Sequence, residues 1–179
     1  MGGRSHQGIL CFIGGINGVG KSTLISEIEK IKKCRIIHGS ALLMERMGLN
    51  KDDYDSLRKL PDKLKDEEWD KAMNYVIETS EIGQCTLIDS HYLHIKLGII
   101  TNVLGDWISS MDGLFLISAS SSEIYRRINI DANRKGKKRN IFTNGPVSPT
   151  GEVEKYLSSE LQIARDAAAN NSIPFFCNK

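Results

Sequence analysis

Gly15-Ile16-Asn17-Gly18-Val19-Gly20-Lys21-Ser22 fits the pattern G-x-x-x-x-G-K-[ST], and no other segment constrains the fold as much. It follows an apolar run, Gly8–Ile13, and precedes Thr23–Lys33, which can be helical. A strand, a glycine-rich turn and a helix N-terminus in that order form a phosphate cradle, the P-loop. The glycines let the backbone close around phosphate oxygens, and the N–H groups point inward at the positive end of the helix dipole. In this reading Lys21 bridges the β- and γ-phosphates of ATP and the Ser22 hydroxyl ligates Mg²⁺. Gly15, Asn17, Gly18, Val19, Gly20 and Thr23 complete the ATP-binding loop. As an ordinary first-turn residue, Lys21 would place a cation at the unfavourable end of a helix. A bound anion removes that conflict.

Four further short apolar runs, Cys34–Ile37, Cys85–Asp89, Gly113–Ser118 and Ile173–Cys177, alternate with stretches of helical spacing or loop composition. The alternation predicts an α/β fold: a five-stranded parallel sheet with helices on both faces. Val153, Leu157, Leu161, Ala164 and Ala168 recur at steps of three and four and predict one buried stripe, and Trp69, Met73, Val76 and Ser80 predict a second, shorter one within Asp66–Ile82. With no linker or repeat, residues 1–179 read as a single domain. The segment Lys135–Gly151, rich in basic residues, Gly and Pro, reads as a surface loop. Lys+Arg 24 against Asp+Glu 22 is too even a balance for a surface given over to nucleic acid or anionic membrane. The 4 Cys sit in apolar surroundings without a Cys-x-x-Cys pair, so they read as buried thiols in a reducing cytosol. A cytoplasmic location follows, since no apolar run is long enough for a membrane span.

Asp89 ends its apolar run in a carboxylate, at the sheet edge where ligands of open α/β sheets bind. It is a candidate to hold Mg²⁺ with Ser22, the alternative being a cap for a following helix. His91, two residues on, reads either as a substrate contact or as a local hydrogen-bond partner. Arg127, Asp131 and Arg134 share one helix face. They read either as an exposed ion-pair ladder or as a clamp that closes Arg127 and Arg134 over the transferring phosphate, with Arg126 beside them.

Together the Gly15–Ser22 loop, His38-Gly39-Ser40, Arg58-Lys59-Leu60-Pro61, Asp89-Ser90-His91 and Glu123-Ile124-Tyr125-Arg126-Arg127 resemble the nucleoside monophosphate kinases, most closely the archaeal type of adenylate kinase. The resemblance implies a P-loop kinase fold with a small lid over about 126–151 and acceptor-binding helices over about 38–82. It implies that Gly39, Ser40, Arg58 and His91 hold the acceptor monophosphate, and that Lys21, Asp89, Arg127 and Arg134 serve catalysis. The implied activity is Mg²⁺-dependent transfer of the γ-phosphoryl group of ATP to a nucleoside monophosphate, with AMP as the first candidate. The sequence departs from that family in the basic run Lys135–Arg139. Two alternatives remain at this stage: a P-loop kinase of a hydroxyl acceptor, and a nucleotide-dependent ATPase or switch that meets RNA through the basic run.

Overall fold

The computed structural model describes residues 8–50, 53–96, 98–135, 142 and 147–178, with residues 132–135 described by their backbone alone. Among these, seven strands and six α-helices follow in the order β1 (Ile9–Gly14), α1 (Lys21–Ile31), β2 (Arg35–His38), α2 (Gly39–Arg46), α3 (Tyr54–Lys59), α4 (Asp62–Glu78), β3 (Cys85–Asp89), β4 (Leu93–Lys96), β5 (Ile99–Asn102), β6 (Gly113–Leu116), α5 (Ser121–Lys135), α6 (Pro149–Asn171) and β7 (Phe175–Cys177). A 3₁₀ turn, Asp106–Ser110, precedes β6.

The five expected apolar runs form one parallel sheet in the order β2-β3-β1-β6-β7. Alternate residues of the central strands, Leu10, Phe12, Ile88, Leu114 and Leu116, face Trp69, Met73 and Val76 of α4 and Ala164 and Ala168 of α6 in the larger core. On the opposite pleat Ile13 and Leu87 are also buried, as is Ile25 of α1. A smaller core joins the two apolar residues of the glycine-rich turn, Ile16 and Val19, to Leu93, Ile124, Ile128, Val153 and Tyr156.

Several features depart from the sequence reading. Residues 93–102 form an antiparallel hairpin, β4–β5, that stands outside the main sheet. Its signal was the alternation Leu93-His94-Ile95-Lys96, with Gly98 at φ 77 in the turn. The buried line of α6 runs through Val153, Tyr156, Glu160, Ala164 and Ala168, while Leu157 and Leu161 flank it half-buried. Ser80 lies past the end of α4. Cys177 is exposed on the edge strand β7, and Cys11, Cys34 and Cys85 are only half-buried. Among the described residues no helix is long and apolar enough to cross a membrane.

Candidate functional site

The parallel register brings the carboxyl ends of three strands abreast. His38 of β2 lies opposite Asp89 of β3, which lies opposite Ile13 of β1, two residues before the glycine-rich turn. The turn leaves β1 at Gly14 and enters α1 at Lys21, with Gly15, Gly18 and Gly20 all at positive φ. At Gly15, φ is 149 and an added Cβ would lie 2.6 Å from the Ile117 carbonyl oxygen, so only glycine fits. Ile16 and Val19 point inward to the smaller core and fix the loop from below, while Ser22 and Thr23 are exposed at the first turn of α1.

Three side chains expected at the site converge on this loop. Lys21 Nζ donates to the carbonyl of Gly15, and His91 Nδ1 lies 2.8 Å from the same oxygen and 3.5 Å from Lys21 Nζ. From the other side Arg127 Nη1 donates to the carbonyls of Gly18 and Val19, each at 3.1 Å. Arg127 thus reaches from α5 to the loop while it also pairs with an acid on its own helix. Its Nε donates to Glu123 at 2.7 Å, and Glu123 also accepts two hydrogen bonds from Arg126. The hydrogen bonds from Arg126, and then from Arg127, hold the Glu123 carboxyl down at about 2, so it stays ionised.

Asp89 is largely covered and lies 3.1 Å from His38 Nδ1, which is half-exposed. Gly39, at the start of α2, packs so closely that a Cβ would lie 2.8 Å from Ser90 Oγ and 2.9 Å from the Trp69 ring. That contact joins the start of α2 to the Asp89–His91 segment. Ser40 is exposed beside it. Arg58 stands on α3 in an exposed pair with Asp55 at 2.8 Å, outside the contacts that join Lys21, His91 and Arg127. Arg134 lies on α5, with its side chain outside the described residues, as are residues 136–141 and 143–146 of the expected lid.

Three residues not singled out from the sequence belong to this neighbourhood. His38 is brought to Asp89 by the pairing of β2 with β3. Glu123 carried a signal in its i, i+3 and i, i+4 spacing to the two arginines. Glu160 lies fully buried on α6, where the Tyr92 N–H meets its Oε1 at 3.5 Å. Burial pushes its carboxyl up to about 7, against the opposing pull of the Lys21 ammonium and the N–H groups of Tyr92, Ile16 and Gly15.

The described residues contain no cluster of three or more His, Cys, Asp or Glu able to hold a metal ion. Mg²⁺ bound with nucleotide needs only one or two protein oxygens beside phosphates and water. The oxygens the sequence assigns to it are those of Ser22, exposed at the first turn of α1, and Asp89, which lies against His38.

Comparison with solved structures supports the same architecture. A shikimate kinase from Acinetobacter baumannii, solved in complex with shikimate, is 9% identical with a TM-score of 0.61, over 98% of this chain and 85% of that one. A shikimate kinase from Bacteroides thetaiotaomicron is 14% identical with a TM-score of 0.57, over 95% and 86%. A chain of the Pnkp1/Rnl/Hen1 RNA repair complex is 15% identical with a TM-score of 0.53, over 90% of this chain and 46% of that one. At these identities the likeness is one of fold, the P-loop kinase fold. Among curated proteins none matches the sequence. The family model described as AAA domain matches residues 14–143, most of the chain and all of the loop, Asp89 and Arg127. The chain belongs to that family.

Proposed function

We propose that this chain is an ATP-dependent kinase whose donor phosphates sit in the Gly15–Ser22 loop. The convergence of Lys21, His91 and Arg127 on the carbonyls of that loop carries the reading. Carbonyls repel phosphate, so a loop whose carbonyls are tied to side chains leaves its N–H groups and the N-terminus of α1 for the anion. In phosphoryl transfer, charge spreads over the equatorial oxygens of the moving group, and the protein contributes positioning and fixed positive charge. Lys21 and Arg127 are the cations held at the loop, with Arg126 and Arg134 on the same helix. Mg²⁺, held by Ser22 and Asp89, would neutralise charge on the β- and γ-phosphates.

The acceptor proposed is a nucleoside monophosphate, with AMP first, on the strength of the resemblance in Gly39, Ser40, Arg58 and His91. An acceptor phosphate is already ionised at neutral pH, so it needs orientation and no general base. The helices over about 38–82 would hold it and the segment over about 126–151 would form the lid, within a single domain. A hydroxyl acceptor is the second reading. The Asp89–His38 pair favours it, because a carboxylate held by an imidazole at the sheet edge can accept a hydroxyl proton.

One coupled assay separates the two. With ATP and Mg²⁺, a panel of AMP, CMP, GMP, UMP and dTMP is tested beside hydroxyl acceptors, namely nucleosides, a cyclic polyol acid and an oligonucleotide 5′-OH. Turnover with a monophosphate supports the first reading. Turnover confined to a hydroxyl acceptor, lost in Asp89→Asn, would replace it with the second.

A further inference from the structure

Glu123 stands near the start of α5 in the spacing of a helix cap, yet its carboxylate is turned to another use. Ser120 Oγ accepts from the Glu123 N–H at 3.3 Å, and the Ser120 carbonyl accepts from the Ile124 N–H at 3.0 Å. In a capping box the acid three residues on reaches back to the N–H of the capping serine. Here the Glu123 oxygens go forward instead, accepting from Arg126 Nε at 2.7 Å, Arg126 Nη2 at 2.8 Å and Arg127 Nε at 2.7 Å. The start of α5 is secured by other means. Ser121 Oγ donates to Glu154 of α6 at 3.0 Å, and Ile124 and Ile128 are buried in the smaller core.

What the carboxylate fixes is the orientation of Arg127. Glu123 holds the Nε edge of the guanidinium, and the carbonyls of Gly18 and Val19 hold Nη1 at 3.1 Å each. Nη2, with two N–H groups, makes no hydrogen bond among the described residues. The loop backbone lies close against α5: a Cβ on Gly18 would be 3.2 Å from the Ile124 carbonyl oxygen, and one on Gly20 would be 3.2 Å from Arg127 Nη1. A planar group fixed at two corners presents its third corner in one direction. Held at Nη1 alone, the same side chain would have to lose rotamer freedom each time it met an anion.

We propose that Glu123 is a positioning residue that clamps the Nε edge of Arg127, so that Nη2 meets a phosphate oxygen of the nucleotide held in the Gly15–Ser22 loop. The inference rests on the reading that this loop binds nucleotide. It adds to that reading an acid whose charge, taken alone, opposes phosphate. Arg126, which forks onto the same carboxylate and is the more exposed of the two arginines, offsets that charge.

The opposition of charge and position gives the test its sign. By Coulomb repulsion alone, removing the carboxylate tightens ATP binding. By loss of positioning, it weakens ATP binding. ATP with Mg²⁺ is titrated calorimetrically into the full chain as wild type, Glu123→Gln, Arg127→Ala and the double variant. Glutamine keeps the shape of the side chain and one acceptor oxygen but loses the charge. The ATP Kd is expected to rise about tenfold or more in Arg127→Ala and about threefold to fivefold in Glu123→Gln. In the double variant it should stay within about twofold of Arg127→Ala, because Glu123 acts only through that arginine. The same cycle with Glu123→Asp, which keeps the charge at the helix start and withdraws it by one methylene, must show the same pattern and decides the matter if Glu123→Gln does not fold.

An unchanged or tighter Kd in the Glu123 variants overturns the proposal. So does a loss of equal size with and without Arg127, which would make Glu123 a residue of the helix terminus only. Failure of the wild type to bind ATP removes both this inference and the kinase reading, whereas ATP binding with an uncoupled cycle removes this inference alone.

Discussion

At the scale of single residues, the carbonyls of Gly15, Gly18 and Val19 each meet a side chain, and Arg127 takes two of the three. Its guanidinium spans Glu123 on its own helix and two carbonyls of the loop. Arg127→Ala is expected to lower kcat about a hundredfold or more, with about 1 kcal/mol or less of stability lost, as suits a partly exposed pair. Stopped-flow turnover and thermal melts check the two numbers, and an unchanged kcat would leave Arg127 a structural brace only. Arg127→Lys should remain impaired, because an ammonium cannot serve two carbonyls and a carboxylate from one planar fork. Glu160 allows a pH prediction. Its carboxyl sits near 7 in the fold against an ordinary 4.5, so between those values the folded chain binds more protons than the unfolded one. Its stabilising protonation is complete below the lower value and is lost as pH rises through 7, a difference of about 3 kcal/mol. Glu160→Gln should thus raise the melting temperature more at about pH 8 than at about pH 5. A gain independent of pH would contradict the burial argument. The P-loop residues, Asp89, His91 and Arg127 were legible because their types and spacing carry chemistry. Glu160 was not, since a glutamate in a helix reads as solvated until its turn of the helix is known to face inward.

At the scale of elements, the loop between β1 and α1 is fixed by one backbone approach and by one small core. Gly15→Ala would drive a methyl into the Ile117 carbonyl at a φ that L-residues avoid. The variant is expected to lose at least about 1 kcal/mol and most ATP affinity, as read by denaturant unfolding and calorimetry. Wild-type values for both would mean the loop is more plastic than its contacts imply. Strands read well from the sequence because the three central ones, β1, β3 and β6, are mostly apolar and mostly buried, and each observed strand lies within a residue or two of its expected bounds. The β4–β5 hairpin read poorly because it is short, sits outside the main sheet and carries alternating residues such as His94 and Lys96. It is anchored at Leu93 in the smaller core and at Lys96, which reaches Asp62 of α4 at 2.9 Å. Asp62 is held at about 2 by Lys65 and then Lys96. Half-exposed, that link contributes little stability, and it serves to tie the hairpin to the helices proposed to bind the acceptor.

At the scale of the whole molecule, the sheet order β2-β3-β1-β6-β7 sets which strand ends lie beside the glycine-rich loop. Placing β3 between β2 and β1 brings Asp89 beside both the loop and His38, and this could not be read from the chain's order of apolar runs. In the proposed function the donor would lie over β1 and α1, and the acceptor over β2, β3 and α2 to α4. Arg58 tests that division: Arg58→Ala should raise the acceptor KM severalfold with little change in the ATP KM, because its present pair with Asp55 is exposed and exchangeable. A change confined to the ATP KM would remove Arg58 from the acceptor side. The central claim, that the Gly15–Ser22 loop holds the donor phosphates of a kinase, is tested most directly at Lys21. Transfer from γ-labelled ATP to the acceptor that wild type uses should fall by at least about a thousandfold in folded Lys21→Ala. Transfer at the wild-type rate by that variant would contradict the account.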